Sequence, residues 1–139
     1  MILLDTDIVT LFNRGHSRIL AHAQAAPEVV SITIVSRIEI LRGDGISCSR
    51  PPMVDNCNAP NSYLREAEQT LHGFPTVFID APAAAEFDRL RQDKKLKKIG
   101  RADLLIAAIA LANRATLVSR NLRDFQKVPG LHVENWADD

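Results

Sequence analysis

Short apolar runs alternate with longer stretches of helical periodicity along the whole chain, and this alternation limits the possible folds more than any other feature of the sequence. The apolar runs are short enough for buried strands and cover residues 2–4, 29–32, 76–79, 116–118 and 131–133. The helical patterns cover residues 6–12, 17–25, 33–41, 64–71, 82–92 and 101–113. This order predicts an α/β domain with a short, largely parallel sheet. The first helix is predicted to open at Thr6 or Asp7, since both are good N-cap residues.

Two of the predicted helices carry the acidic residues Asp103 and Glu39. Residues 101–113 combine leucine, isoleucine and alanine on nearly every face, which predicts a helix buried between the sheet and another surface. Residues 33–41 predict a second helix, whose buried stripe consists of Ile34, Ile38 and Leu41. Glu39 lies one residue beyond that stripe, and Gly43 is a suitable residue to end the helix.

The composition fits one globular domain over residues 1–139. Hydrophobic residues make up 46% of the chain and charged residues 24%, which excludes disordered and low-complexity classes. Lysine plus arginine and aspartate plus glutamate are 17 each, so the net charge is zero and any site for a polyanion must be local. No apolar run approaches about 18 residues and Asp5 interrupts the apolar start. We therefore expect a cytoplasmic protein with no membrane span and no signal peptide.

Four acidic residues lie near the carboxyl ends of predicted strands or on the helices next to them, namely Asp5, Glu39, Asp103 and Asp124. Each has an ordinary explanation alone, such as a favourable place in the helix dipole for Asp103 or turn capping for Asp124. Together they suggest a site, because parallel α/β folds bind ligands at this edge of the sheet. Two carboxylates about 4 Å apart repel by roughly 4 kcal/mol at an effective dielectric of 20, so a cluster without a central lysine calls for a divalent cation. All-carboxylate sites suit Mg²⁺ or Mn²⁺.

Four motifs give the sequence a family likeness, and they cover residues 4–7 (LDTD), 36–43 (SRIEILRG), 101–108 (RADLLIAA) and 119–125 (SRNLRDF). In this combination the chain resembles the PIN-domain ribonucleases, in particular the VapC toxins of prokaryotic toxin–antitoxin pairs. The likeness extends over nearly the whole chain. It implies a three-layer α/β/α domain and an endoribonuclease that hydrolyses RNA phosphodiester bonds with Mg²⁺, or alternatively with Mn²⁺.

The resemblance also implies roles for the acidic residues. Asp5, Glu39 and Asp103 take the three acidic positions of the family's metal site, and Asp5 and Asp103 are the expected metal ligands. Asp124 takes a more variable fourth position. Glu39 or Asp124 would orient the attacking water or complete the metal shell, and the sequence does not separate these two roles.

Substrate contacts are expected from polar and basic residues near the acids. By resemblance Asn121 and Ser119 assist, and Ser119 stands where the family more often has threonine. A local basic segment runs into Asp103 and consists of Lys94, Lys95, Lys97, Lys98 and Arg101. A basic run is commonly a solvated face, but its position favours contact of Lys98 and Arg101 with RNA phosphates, in tRNA or rRNA.

The resemblance implies two protein partners. A VapB-like antitoxin would lay a peptide in a groove near the site and place an arginine among the acids. A second copy of the chain would form a homodimer.

Residues 44–63 depart from the family, which continues here with an amphipathic helix. Adjacent prolines at Pro51 and Pro52, with Pro60 and several asparagines, predict that no helix propagates through this segment. One hypothesis is that the segment is a frame-shifted translation of the usual helix, which the gene sequence would test. We then expect weaker stability or weaker antitoxin binding with the metal ligands intact.

Two other functions remain open at this point. The altered segment favours a catalytically impaired PIN-like scaffold that only binds antitoxin or RNA. The strand that ends in Asp5-Thr6-Asp7 is also typical of haloacid dehalogenase-like phosphatases, which need a later lysine and an acidic pair after a strand, and here Lys127 is poorly placed for this role. RNA cleavage that needs Mg²⁺ and is lost in Asp5→Asn or Asp103→Asn would separate the three possibilities.

Overall fold

A five-stranded sheet with helices on both faces forms the domain. The computed structural model describes residues 1–43 and 59–138, and within 59–63 it describes the backbone alone. The strands are β1 (Ile2–Leu4), β2 (Val30–Thr33), β3 (Thr76–Val77), β4 (Thr116–Val118) and β5 (His132–Glu134). The helices are α1 (Thr6–Asn13), α2 (Ser17–Ala25), α3 (Ile34–Arg42), α4 (Ala59–His72), α5 (Ala81–Gln92), α6 (Arg101–Ala112) and α7 (Leu122–Phe125), with a 3₁₀ turn at Lys94–Leu96.

All four strand pairings are parallel, in the order β3-β2-β1-β4-β5. The central strand β1 pairs on one side with β2 and on the other with β4, so that Leu4 lies level with both Ile32 and Val118. The residues that follow these three positions therefore emerge at one edge of the sheet. This register brings Asp5 close to Ser119, although the two are far apart in the sequence.

Alternating side chains of the strands build a core on each face of the sheet, which confirms the three-layer α/β/α prediction. Leu3 and Leu117 are buried in a cluster with residues of α5 and α6. Ile2 and Leu4 are buried in a second cluster with residues of α1, α2 and α4. Period-two alternation along a strand places successive residues on opposite faces, so short strands suffice to supply both cores.

The predicted burial of the alanine-rich helix is confirmed in α6. Leu104 and the run 106–110 are buried, and the helix packs against both the sheet and α5. Small alanine side chains let neighbouring elements approach closely without leaving voids. The first turn of α6 is thereby held rigidly at the sheet edge.

Two details of the predicted helices are wrong. The N-cap of α1 is Asp5, whose side chain accepts a hydrogen bond from the Thr6 N–H, and not Thr6 or Asp7. In α3, Ile38 is 48% exposed while Ile40 is 1% exposed, so the buried face is turned from the predicted stripe. The reason is tertiary packing, since Ile40 belongs to the core cluster that contains Leu4 and Ile8, and this side of α3 therefore faces the interior. The predicted end is confirmed, since Gly43 has a left-handed φ of 92°.

Helix α4 begins at Ala59, earlier than the predicted residue 64. Pro60 falls in the first turn, where a missing N–H costs no intrahelical hydrogen bond, so the prediction that no helix passes through residues 59–63 is wrong. The rest of the atypical segment, and with it the frame-shift hypothesis, lies outside the described residues. Among the helices that the structure describes, none has the length and apolar character to cross a bilayer.

Candidate active site

Asp5 is the centre of the site and ends the central strand. Its side chain is 8% exposed. One carboxylate oxygen accepts from the Thr6 N–H at 2.8 Å, and the other accepts from the Ser119 hydroxyl at 2.7 Å. As an N-cap, the carboxylate also faces the positive end of α1. Both oxygens are thus fixed before any ligand binds.

Ser119 and Asn121 continue from Asp5 toward two further acids. The buried Ser119 Oγ donates to Asp5 and accepts from the Asn121 N–H at 3.0 Å. The Asn121 Nδ2 donates to Oδ2 of Asp124 at 3.2 Å and, through a longer contact of 3.4 Å, to Oδ2 of Asp103. A continuous hydrogen-bonded chain therefore joins the ends of β1 and β4 to the first turns of α6 and α7.

Glu39 joins the same site from α3. Its Oε2 accepts a hydrogen bond from the Thr6 hydroxyl, in a partly buried setting. The backbone N–H of Thr6 also donates a hydrogen bond to the Asp5 carboxylate. One residue therefore holds both carboxylates, so the structure brings together all four acids that the sequence predicted.

Burial and mutual repulsion disfavour the charged form of the acids in the interior. Burial raises the pKa of Asp5 to about 7, and the nearby charges of Asp7 and Asp103 act in the same direction. Burial also raises the pKa of Asp103, and the charge of Glu39 is the next cause. In the described part of the chain, the groups that shift these two pKa values most include no lysine or arginine. Among the described residues, no neighbouring cation therefore offsets the negative charge of Asp5 and Asp103.

Asp124 differs from the other acids. Hydrogen bonds from Asn121 and Lys127 lower its pKa, and the Lys127 Nζ lies 3.3 Å from its Oδ1. The carboxylate is therefore ionised and already has a cationic partner, as expected at the rim of a site.

Asp7 is an acid that the sequence analysis did not assign to the site. Among the described residues its Oδ1 is buried and has no hydrogen-bond partner. Burial raises its pKa, while the charge of Arg120 opposes this shift. The signal in the sequence was its spacing, two residues after Asp5 in the same motif. Its charge acts on both Asp5 and Asp103, which makes it part of the same electrostatic centre.

The donors fit a hard divalent cation. They are all oxygens and they repel one another, and Asp7, whose charge acts on Asp5 and Asp103, has a buried oxygen with no hydrogen-bond partner among the described residues. Within residues 1–43 and 59–138, no three His, Cys, Asp or Glu side chains already form a chelating set. This arrangement is compatible with Mg²⁺, which usually keeps several waters and binds through one or two carboxylates. Asp5 and Asp103 could supply those carboxylates.

The two predicted basic contacts are close to Asp103 in the sequence. Arg101 is exposed in the first turn of α6, two residues before Asp103, and Lys98 is exposed after the 3₁₀ turn. Neither forms an ion pair with another residue in the described ranges. Ser119 and Asn121, in contrast, are occupied with the carboxylates, so their observed contacts are those of positioning residues.

Fold and site together define a parallel α/β domain with an acidic centre suited to a divalent cation at the carboxyl edge of its sheet. The family model described as PIN domain matches residues 2–131. The chain is 44% identical over 138 residues to "Ribonuclease VapC2" of Haemophilus influenzae strain Rd, with 97% of each chain covered. It is 29% identical over 81 residues to the "tRNA(fMet)-specific endonuclease VapC" of Salmonella typhimurium, an alignment that covers 57% of this chain and 61% of that protein.

Solved structures of toxin–antitoxin complexes contain chains with the same fold. A complex of VapBC2 from Rickettsia felis, bound to a DNA fragment from the promoter, contains a chain with a TM-score of 0.79 and 27% identity, covering 98% of this chain and 99% of that one. A toxin–antitoxin complex from Klebsiella pneumoniae gives a TM-score of 0.70 at 23% identity, with 97% of both chains covered, and shows the same fold. The chain belongs to the PIN-domain family and, within it, to the VapC ribonucleases of toxin–antitoxin systems. The phosphatase alternative is therefore wrong.

Proposed function

We propose that this ribonuclease toxin works in the cytoplasm and uses Mg²⁺, or Mn²⁺, to hydrolyse phosphodiester bonds in RNA. The observation that carries this proposal is the hydrogen-bonded chain that links the buried Asp5 to Asp103 through Ser119 and Asn121. Within the described ranges, no lysine or arginine is among the main groups that act on these two carboxylates. Such a centre favours the binding of a divalent ion. The name of the Salmonella relative supports tRNA as the substrate class, ahead of rRNA.

The residues of this chain have separable tasks in that reaction. Asp5 and Asp103 would hold the ion, which when bound polarises the phosphate and lowers the pKa of a coordinated water. Ser119 and Asn121 keep the two carboxylates in place. Glu39 is the better candidate to accept the proton of the attacking water, because Asp124 is already paired with Lys127. The water oxygen would bond to phosphorus while one of its protons passes to a Glu39 oxygen. The bond from phosphorus to the 3′ oxygen would break, and the leaving 3′ oxygen would take a proton from solvent, giving a 3′ hydroxyl and a 5′ phosphate.

Exposed cations near Asp103 supply the contacts with the RNA backbone. Lys98 and Arg101 are the proposed residues, since both are exposed and Arg101 lies two residues before Asp103 in the first turn of α6. Phosphate contacts of this kind depend steeply on salt, because each one releases counterions. We therefore assign substrate affinity to these residues and catalysis to the acids.

An antitoxin of the VapB type is the proposed protein partner. The Rickettsia relative was solved as a VapBC complex, and the uncompensated acids of this chain would be neutralised by a partner's arginine. A homodimer has separate support. Large apolar side chains are exposed at Ile38 of α3, Leu64 of α4, and Phe78 and Ile79 after β3, and α3 contacts both α4 and β3.

The test is cleavage of purified tRNA and rRNA by the full chain, in parallel with Mg²⁺, Mn²⁺ and a chelator. We expect cleavage with either metal, none with chelator, and none in Asp103→Asn. Glu68→Gln is a matched control, since it removes one exposed carboxylate on α4 and should leave the rate unchanged. Cleavage in chelator would contradict the proposed mechanism. RNA binding without cleavage would instead favour the non-catalytic scaffold.

A further inference from the structure

A cavity lies beside the start of α6, on the side of the helix that carries Arg101 and Leu104. It is formed between α5, the 3₁₀ turn and the start of α6, and its volume is about 340 Å³. The apolar lining is the buried Leu96, Ile99 and Leu104 with the partly buried Phe87. The cations that line it are Arg91, Lys97 and Arg101. The cavity therefore combines an apolar floor with a cationic rim.

No acidic side chain lines this cavity in the described part of the chain. Arg91 pairs with the exposed Asp88 at 3.0 Å, whereas Lys97 and Arg101 form no ion pair with the residues that the structure describes. A rim with unpaired positive charge over an apolar floor suits a molecule with a flat apolar part and an attached anion. Nucleotides have this chemistry, with a base and a phosphate.

The cavity and the acidic centre share the first turn of α6. Arg101 and Asp103 are two residues apart, so their side chains leave the helix in nearly opposite directions, separated by about the 10 Å width of a helix. Gly100 is the N-cap and provides no side-chain hydrogen bond, and the space where its Cβ would lie is open. A single strand of RNA that crosses the start of α6 could therefore contact both places.

We propose that this cavity binds one nucleobase of the RNA substrate, with the adjacent phosphate on Lys97 and Arg101. The proposal rests on the ribonuclease function proposed above. A small cavity with one aromatic wall accommodates a single ring, whereas an amphipathic peptide helix requires a groove for several anchors. The base would lie a few nucleotides from the scissile bond and would give the enzyme a sequence preference away from the cleavage position.

The experiment is a methyl NMR titration of the wild-type chain without metal, with isoleucine and leucine methyl groups labelled. Ile99 and Leu104 line the cavity and report on it directly. The probes are the four nucleoside 5′-monophosphates, ribose 5-phosphate, and an acidic amphipathic peptide. We expect the Ile99 and Leu104 methyl signals to shift with at least one nucleotide and to stay in place with ribose 5-phosphate.

Two variants link the shifts to the proposed contacts. Phe87→Ala should weaken nucleotide binding by about tenfold through lost stacking. Arg101→Ala should weaken it several-fold without disturbing the core, since Arg101 is exposed, and Arg65→Ala on α4 is the control of equal charge change. Equal shifts with ribose 5-phosphate, no shifts with any nucleotide, or shifts with the peptide alone would each overturn the proposal.

The two proposals fail in different ways. If the wild-type chain cleaves RNA but nucleotides leave the cavity methyl groups unchanged, the base-binding site is wrong and the ribonuclease function stands. If nucleotides shift these methyl groups but no RNA is cleaved with Mg²⁺, the binding site stands and the ribonuclease function fails.

Discussion

Asp5 destabilises the metal-free fold, and the size of this effect follows from its pKa. The pKa is raised from an ordinary 3.8 to about 7, mainly by burial. Because the folded-state pKa is the higher one, the protonated carboxyl of Asp5 contributes its full stability below pH 3.8. This contribution is lost as the pH rises through 7 and the carboxyl ionises in the folded protein. The difference is about 3 pKa units, and at about 1.4 kcal/mol per unit it amounts to about 4 kcal/mol at pH 8.

The substitution Asp5→Asn should remove this penalty. The new amide oxygen still accepts from the Thr6 N–H, and the amide nitrogen can donate to Ser119 Oγ in place of the present hydrogen bond. We expect the free energy of unfolding at pH 8, without metal, to rise by up to about 4 kcal/mol, and by little at pH 4. Urea denaturation at pH 4, 6 and 8 measures both values.

Asp124→Asn is the matched control. Its pKa is lowered by Asn121 and Lys127, so the ionised form favours folding and its removal should not stabilise the protein at pH 8. Added Mg²⁺ should stabilise the wild-type chain and have little effect on Asp5→Asn, because the ion relieves the same repulsion. If Asp5→Asn gains no more stability at pH 8 than at pH 4, the account of a buried, uncompensated carboxylate is refuted.

Three further predictions concern metal affinity, catalytic rate and RNA affinity. Ser119→Ala should weaken Mg²⁺ binding about tenfold in calorimetry, because Asp5 loses a hydrogen bond. Ser119→Thr keeps the hydroxyl and should retain the affinity. Equal affinities in both variants would contradict a positioning role. Thr6→Val should lower kcat about tenfold and leave the Mg²⁺ affinity unchanged, since Glu39 loses its hydrogen-bond donor. Thr6→Ser should rescue the rate. A loss of metal affinity would instead place Glu39 among the ligands. Lys98→Ala should raise KM for RNA and leave kcat unchanged, and it should reduce the slope of log affinity against log salt by about one. An unaltered salt slope would remove Lys98 from the RNA contacts.

Local patterns in the sequence predicted the parallel sheet and the four acids. Apolar runs as short as Ile2–Leu4 stand out because they are buried on both faces, and Asp5 stands out because an acid that directly follows such a run needs a partner. Helix rotation was harder to predict. In α3 both Ile38 and Ile40 are apolar, so periodicity alone could not decide which of them is buried.

The contacts that organise the site depend on long-range geometry. Ser119 donates to Asp5 across 114 positions of the chain, and no local pattern contains this pairing. Asn121 was expected to contact substrate, but the short helix α7 places its amide between two carboxylates. The unpartnered oxygen of Asp7 likewise depends on how α1 packs, and sequence spacing gives only its proximity to Asp5.

The pairing of the first strand with the fourth has a consequence for synthesis of the chain. Leu4 acquires its neighbour Val118 only after most of the polypeptide has left the ribosome, and Ser119 and Asn121 follow directly. Unfinished chains thus lack the parts that align the acids, and domains fold as units once such distant segments are present. The acidic centre of this toxin is therefore assembled only when the segment around Ser119 is available to pair with the first strand.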